Sequence, residues 1–177
     1  MLPSLFIGLV GFFICSYLAL FVLPADATQQ EIYRILFVHV PAAIFSELIY
    51  IFMACCGFIY LVWKTKISAI MLRSAISLGL AFTLIVLISG AIWGKPTWGT
   101  YWVWDARITS TFILLIQYIG LLALRTSFNT MQTTDQILSI VAIVGAINIP
   151  IIKFSVNWWN TLHQNASITY SGSSIDA

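Results

Sequence analysis

The sequence predicts an all-α fold, a polytopic integral membrane helix bundle, from three observations. Hydrophobic residues make up 60% of the 177 residues and charged residues only 8%, whereas a soluble domain carries roughly 25% charged residues. The apolar residues gather in five long runs, each close to the roughly 20 residues that cross a bilayer as a helix. Such runs must be helical in hydrocarbon, because every backbone amide needs an internal partner. The composition excludes an ordinary soluble domain and a disordered chain.

The runs place five membrane spans in a single membrane domain of residues 1–177, at approximately 2–23, 40–63, 74–93, 108–124 and 136–154. The first run is predicted to be a retained helix, because it lacks a basic start and is too long for the apolar core of a signal peptide. The spacing of Thr28 and Glu31 matches a capping box, which predicts that the second helix starts near Gln29. Pro41 and Pro150 mark positions where the second and fifth helices can kink.

An irregular external loop is predicted over residues 93–107. Gly94, Pro96 and Gly99 punctuate its first half, and neither residue type readily continues a regular helix. The loop would carry four of the seven tryptophans to one surface of the membrane.

The orientation of the chain is predicted from its basic residues. Because consecutive spans alternate sides, the external loop lies on the same side as residues 24–38 and 153–177. The two sides carry equal numbers of Lys and Arg, so their count alone does not orient the chain. The stretch 64–73 is the densest in Lys and Arg and contains no Asp or Glu. We therefore expect this stretch in the cytoplasm, where such residues are enriched.

Six of the seven tryptophans and both histidines are predicted on the external side. They are Trp93, Trp98, Trp102, Trp104, Trp158, Trp159, His39 and His163. Membrane anchoring places tryptophan at both interfaces and does not explain this distribution. Flat apolar walls and two imidazoles from separate segments suit a porphyrin iron, which takes two axial ligands. Zinc suits them less, because it requires three or four protein ligands.

Other features on this side agree with reversible binding of a porphyrin. Its carboxylates would pair with cations, for which the candidates are Lys95, Arg107, Arg34 and Lys153. The chain lacks the C-x-x-C-H motif for covalent haem attachment. No Ser/His/Asp or Cys/His set lies on this side, so we expect a binding protein rather than an enzyme. A net charge of only +2 excludes a nucleic-acid surface.

The segment Trp98-Gly99-Thr100-Tyr101-Trp102-Val103-Trp104-Asp105 has the pattern W-G-x-x-W-x-W-D. It resembles the tryptophan-rich WWD signature of haem-handling proteins. Residues 39–43 and 149–164 look like the same family, the haem exporter protein C family, also called cytochrome c maturation protein C. The likeness runs from Tyr17 to the C-terminus. Members of that family have six membrane helices, so the five spans here are expected to belong to a truncated chain that lacks the sixth.

The resemblance implies a function in cytochrome c maturation. Haem b would be held transiently and without a covalent bond at the external, periplasmic face. His39 and His163 would be the axial ligands of the haem iron. The platform beneath the haem would be formed by Trp98, Trp102, Trp104 and Asp105, with Trp93 close by. The role expected is that of an assembly factor and transporter component, and a lyase-like role stays open.

The resemblance also implies partners and a location. The partners would be haem, the haem chaperone CcmE, the ATP-binding-cassette subunits CcmA and CcmB, the small protein CcmD and the lipid membrane. The location would be the bacterial inner membrane, with the mitochondrial inner membrane as an alternative. Two other functions stay open: a permease that moves haem through its own helix bundle, and an electron-transfer haem subunit.

Several polar residues have a structural and a functional interpretation. Asp105 precedes the fourth helix and can cap it, or can help to dock the chaperone. Arg107 opposes the dipole of the same helix, so it either extends towards the interface or contacts a haem propionate. Residues inside the spans are expected to hydrogen-bond to neighbouring helices, namely Glu47, Gln117 and Asn148.

Overall fold

The computed structural model describes residues 2–159, 161–163, 168–169 and 172–173. Its elements are α1 (Leu2–Tyr17), a π-helical turn (Leu18–Val22), a 3-10 turn (Glu31–Ile35), α2 (Leu36–Trp63), α3 (Lys66–Trp98), α4 (Ala106–Leu124), α5 (Met131–Gly145), α6 (Asn148–Trp158), and the two-residue strands β1 (Ile168–Thr169) and β2 (Gly172–Ser173). The two strands pair antiparallel. Helices dominate the described residues, which confirms the predicted all-α membrane bundle.

Within the described residues, four helical stretches are long and apolar enough to cross a membrane. They are Glu31–Trp63, Lys66–Trp98, Ala106–Leu124 and Met131–Trp158. A shorter apolar helix, Phe6–Val22, precedes them and covers most of the first predicted span. Its large side chains, such as Phe6 and Phe12, are about two-thirds exposed, which suits contact with lipid.

The core lies where α2 packs against α3, α4 and α5. Tyr50 and Tyr118 are fully buried there and meet edge to face, with ring centroids 5.2 Å apart. The Tyr118 hydroxyl donates to the Ser46 carbonyl on α2 at 2.8 Å. Glycine allows each ring to approach a neighbouring helix, because a Cβ at Gly79 would overlap Tyr118 and one at Gly145 would overlap the Tyr50 hydroxyl. Small residues at helix contacts permit such close packing in membranes.

Two of the polar side chains inside the spans link helices as predicted. Gln117 Nε2 donates to the Gly145 carbonyl at 3.3 Å, which joins α4 to α5. Asn148 Nδ2 donates to the Ser110 carbonyl at 2.9 Å, which joins α6 to α4. Glu47 differs, because its carboxylate has no hydrogen-bond donor among the residues described. It lines an open groove of about 530 Å³ between α2 and α6, together with Lys153.

The predicted capping box at the start of the second helix does not form. Instead, Asp26 accepts from the backbone N–H groups of Thr28 and Gln29, at 2.8 Å and 2.7 Å. The short Asp side chain reaches amides two and three residues ahead and so forms a turn. Gln30 has a φ of 51°, and the 3-10 turn begins at Glu31.

The prediction that the external loop begins at residue 93 is wrong. Helix α3 continues through Pro96 to Trp98, and the non-helical segment covers residues 99–105. Proline lacks an N–H and cannot donate to the carbonyl four residues earlier, yet the helix continues for two residues beyond Pro96. Gly99 then ends the helix with a φ of 81° and donates its N–H to the Lys95 carbonyl at 3.0 Å. Glycine adopts this left-handed conformation without steric cost.

The fifth apolar run divides into α5 and α6 near Pro150. The turn falls at residues 146–147, and Ala146 lies four residues before the proline. Pro150 cannot donate to the Ala146 carbonyl, and its ring crowds that group. The carbonyl instead accepts from Ile149 at 3.1 Å. Pro41 produces no such break, since α2 continues through it.

We expect Gly79→Ala to destabilise the bundle, because the added methyl overlaps the buried ring of Tyr118. Overpacking of this kind costs roughly 1–3 kcal/mol. Thermal unfolding of the detergent-solubilised protein measures the effect. Gly120→Ala is the control, since nothing lies within 4 Å of a Cβ at that position. Equal unfolding temperatures for the two variants would contradict the packing described for Tyr118.

Candidate functional site

Four helix ends converge at one end of the bundle. They are the start of α2, the end of α3, the start of α4 and the end of α6. The helices α5 and α6 form one apolar stretch, Met131–Trp158. Short connections make α2, α3, α4 and this stretch successively antiparallel, so these ends meet at the same surface. Both histidines and the six tryptophans predicted on the external side lie on these ends or on the segments that continue from them.

His39 lies in the first turn of α2, one residue before the predicted membrane span 40–63. Its Nδ1 is 2.9 Å from Ser89 Oγ on α3. The Ser89 hydroxyl donates its own proton to the Ile85 carbonyl at 2.6 Å, so it must accept the proton of His39 Nδ1. The second ring nitrogen, Nε2, therefore carries the lone pair. A Cβ at Gly90 would lie 3.0 Å from His39 Cε1, so glycine leaves room for the ring.

His163 is held by Asp105. Its Nδ1 lies 2.9 Å from Asp105 Oδ2, and the two side chains are only 21% and 8% exposed. The other carboxylate oxygen accepts from the Ile108 N–H at 2.8 Å and caps α4, as the sequence predicts for Asp105. The backbone N–H of His163 donates to Thr161 Oγ1 at 2.8 Å. The ring is therefore fixed from both the helix start and its own turn.

The protonation of this pair follows from its surroundings. Burial lowers the pKa of His163 and the Arg107 guanidinium adds to this, although the Asp105 carboxylate acts in the opposite direction. Burial raises the pKa of Asp105, but hydrogen bonds from Ile108 and His163 outweigh it and hold the pKa below its usual value. Near pH 7 a neutral imidazole thus donates its Nδ1 proton to a charged carboxylate. Its Nε2 keeps a lone pair.

Both histidines thus present the same atom to the surroundings. Neither Nε2 has a hydrogen-bond partner among the described residues. Neither is among the buried nitrogen and oxygen atoms that lack a partner there, which are Tyr50 Oη, Trp102 Nε1 and Gln117 Oε1. Two accessible, unprotonated imidazole nitrogens at one end of the bundle are suitable metal ligands.

Tryptophans pack directly on both histidines. Trp93 meets the His39 ring edge to face with centroids 5.7 Å apart, and Trp98 meets the His163 ring at 4.8 Å. Trp93 is itself held in place, because its Nε1 donates to Gln29 Oε1 at 2.8 Å. The last turns of α3 therefore fix the surroundings of both imidazoles.

A second aromatic cluster follows α3. Trp102 lies 5.4 Å from Trp104 and 5.8 Å from Phe112, measured between ring centroids. Trp104 is 71% exposed. The buried Nε1 of Trp102 has no acceptor among the described residues. A buried donor without a partner is costly, so it is suited to bind an acceptor on a ligand.

Trp158 and Trp159 form a third group, apart from the histidines. Trp158 stacks on Phe154 at 5.4 Å, and the two tryptophans lie 5.8 Å apart. Both are more than half exposed. Because α6 ends at Trp158 and Trp159 has an extended backbone, Trp159 and His163 do not share a helical face.

The candidate cations differ in what they already bind. Arg34 donates to the carbonyls of Ala19 and Leu23 and pairs with Glu31, so it ties the 3-10 turn to the preceding segment. Lys95 donates to the Gly99 carbonyl at 3.0 Å. Lys153 is exposed beside the groove of Glu47.

Arg107 remains available at the site. It is half-buried in the first turn of α4, and its guanidinium has no carboxylate partner within the described part of the chain. Its charge contributes to lowering the pKa of His163, so the guanidinium lies within electrostatic range of that ring. Among the four candidates, Arg107 is thus the one placed to receive an anionic group beside His163.

Sequence reasoning missed three residues that hold the site together. They are Gln29, Ser89 and Thr161. Gln29 was assigned to a capping box, and Ser89 is one of several serines inside apolar runs. Only Thr161, two residues before His163, gave a local signal, since Ser and Thr hydroxyls often accept from nearby backbone amides.

Comparison with known proteins gives consistent matches. A family model described as haem exporter protein C matches residues 1–177. A ccmC-like mitochondrial protein of cytochrome c biosynthesis from Marchantia polymorpha is 49% identical over 90% of this chain and 67% of its own length. Haem exporter protein C of Escherichia coli K12 is 46% identical over 81% of this chain and 59% of its own length. The corresponding ccmC-like protein of Arabidopsis thaliana is 47% identical over 90% of this chain and 60% of its own length.

The chain thus spans 59–67% of the length of these relatives. The match to the family model extends over every residue of the chain. The chain belongs to the haem exporter protein C family.

Proposed function

We propose that this protein binds haem reversibly at the external end of its bundle and delivers it to a chaperone during cytochrome c maturation. The observation that carries the proposal is the matched state of the two histidines. Each commits Nδ1 to an acceptor and leaves Nε2 accessible, as the two axial positions of a haem iron require. Haem is the cargo in this proposal.

The surrounding residues supply what a haem needs besides its iron ligands. Trp93 and Trp98 pack on the imidazoles, while Trp102 and Trp104 offer an apolar wall. Trp158 and Trp159 add further exposed aromatic surface at this end of the bundle. Arg107 is placed to pair with a propionate, and Lys95 is a second candidate cation. Aromatic faces and cations are the usual partners of a porphyrin ring and its carboxylates.

The proposed partners and location follow the family. The acceptor would be CcmE, and the assembly would include CcmA, CcmB and CcmD. Relatives with bacterial and mitochondrial names both match this chain. We propose an inner membrane, with the histidines on its external face, which in bacteria is periplasmic.

One observation favours haem passage through the bundle itself, namely the break between α5 and α6. Transporters commonly bind their substrates between paired interrupted helices. In the part of the chain described, α2 and α3 continue through Pro41 and Pro96 without a matching break. Surface binding therefore accounts better for the structure.

We expect the double variant His39→Ala, His163→Ala to lose the low-spin absorption spectrum of a bis-imidazole haem, since both iron ligands are removed. The measurement is the absorption spectrum of purified protein in its oxidised and reduced forms. Trp63→Phe, at the opposite end of the bundle, is the control and should keep the wild-type spectrum. Size-exclusion chromatography checks that each variant is folded. An unaltered spectrum in the double variant would refute the assignment.

Arg107→Gln should weaken haem retention about tenfold, as expected when a charge-assisted hydrogen bond is lost. The rate of haem transfer to excess apomyoglobin reports retention. Arg125→Gln is a matched control, because Arg125 lies at the other end of α4 and is exposed. If both variants release haem at the wild-type rate, Arg107 does not bind a propionate.

A further inference from the structure

We propose that the two histidines are unequal ligands: His163 retains the iron, and His39 gives way to an incoming ligand. Asp105 and Ser89 are then positioning residues that set this difference. The inference rests on the proposed binding of haem between His39 and His163.

The partner of His163 is an anion. Its Nδ1 lies 2.9 Å from a carboxylate that is only 8% exposed. Hydrogen bonds to charged acceptors are roughly twice as strong as those between neutral groups. A carboxylate on the second nitrogen also raises the basicity of a ligating imidazole. His163 is therefore the stronger electron donor to iron.

The His163 ring is also restrained on several sides. The same carboxylate is fixed to α4 through Ile108, and Thr161 holds the backbone N–H of His163. Trp98 packs on the ring at 4.8 Å. A ring restrained on several sides does not readily rotate away from its metal, so release at His163 would require several contacts to break together.

The partner of His39 is neutral. Ser89 Oγ lies at the same distance of 2.9 Å, but it carries no charge, and its proton is committed to the Ile85 carbonyl. Because the two Nδ1 hydrogen bonds are equally long, the two imidazoles differ in donor strength through the charge of their partners. His39 is the weaker donor.

The exchange itself needs no other reactant. The lone pair of the incoming ligand forms a bond to iron as the bond from His39 Nε2 breaks. His39 keeps its Nδ1 proton, and no electron is transferred. The iron remains attached to His163 throughout, so the cargo can change one ligand at a time without dissociating.

Single variants separate the two ligands. His39→Ala should keep most of its haem. In the reduced state it should bind carbon monoxide faster than the wild type, because no histidine has to dissociate from the iron first. His163→Ala should retain several-fold less haem. Equal retention in the two variants, or the reverse order, would overturn the inequality. A wild-type spectrum without bis-imidazole character would instead refute the proposed function, so the two failures are distinguishable.

The positioning residues are tested by the rate at which carbon monoxide replaces an axial histidine in the reduced protein. Ser89→Ala should accelerate this exchange by roughly three- to tenfold, the equivalent of one neutral hydrogen bond. Ser89→Thr keeps the hydroxyl and should restore the wild-type rate. An unchanged rate in Ser89→Ala would show that Ser89 does not position His39.

Asp105→Asn provides the complementary test. Asn is as good an N-cap as Asp, so α4 should keep its start while His163 loses its anionic partner. Haem retention should fall, and the reduction potential should rise as the donor weakens. A variant with the wild-type potential and retention would overturn the role of the carboxylate. Thermal unfolding confirms that the cap is intact.

Discussion

The position of the site depends on one constraint: backbone polar groups in hydrocarbon must be satisfied inside helices. Helices α2, α3 and α4 obey it without a break, and the polar side chains within them serve mainly helix contacts. Irregular backbone is then confined to helix ends and to the proline-induced turn in the fifth run. Such places expose backbone and side chains to the membrane surface, and the candidate site lies at one of them.

The Asp105 carboxylate connects the helix end to the ligand ring. One oxygen fixes the first turn of α4 and the other fixes His163. The N-cap determines where the non-helical segment stops, and therefore where Trp102 and Trp104 lie relative to the imidazole. This gives a physical reason for an acidic residue directly after the last tryptophan of the W-G-x-x-W-x-W-D pattern.

The fold was predictable because long apolar runs leave few alternatives, and the gathering of histidines and tryptophans followed from helix alternation. The extent of α3 was not predictable from the sequence. A proline removes one helical hydrogen bond, and the surrounding structure decides whether the helix continues past it, as α3 does at Pro96. Asp26 displaced the expected capping box because its side chain accepts from the Thr28 N–H, which the Glu31 side chain would bind in that box. The contact between Ser89 and His39 joins residues 50 positions apart, and no local pattern distinguishes Ser89 from other serines.

A carrier must bind its cargo strongly enough to load and weakly enough to unload. Two equally strong axial ligands would favour loading and oppose release. In the proposed function, a carboxylate bonded to one imidazole and a hydroxyl bonded to the other would meet these two requirements separately, because each ring is tuned by its own partner. The exposed faces of Trp104, Trp158 and Trp159 would serve the same end. A haem enclosed by protein could leave only after a conformational change, whereas a site open at the membrane surface would allow an acceptor to approach while the haem is still bound.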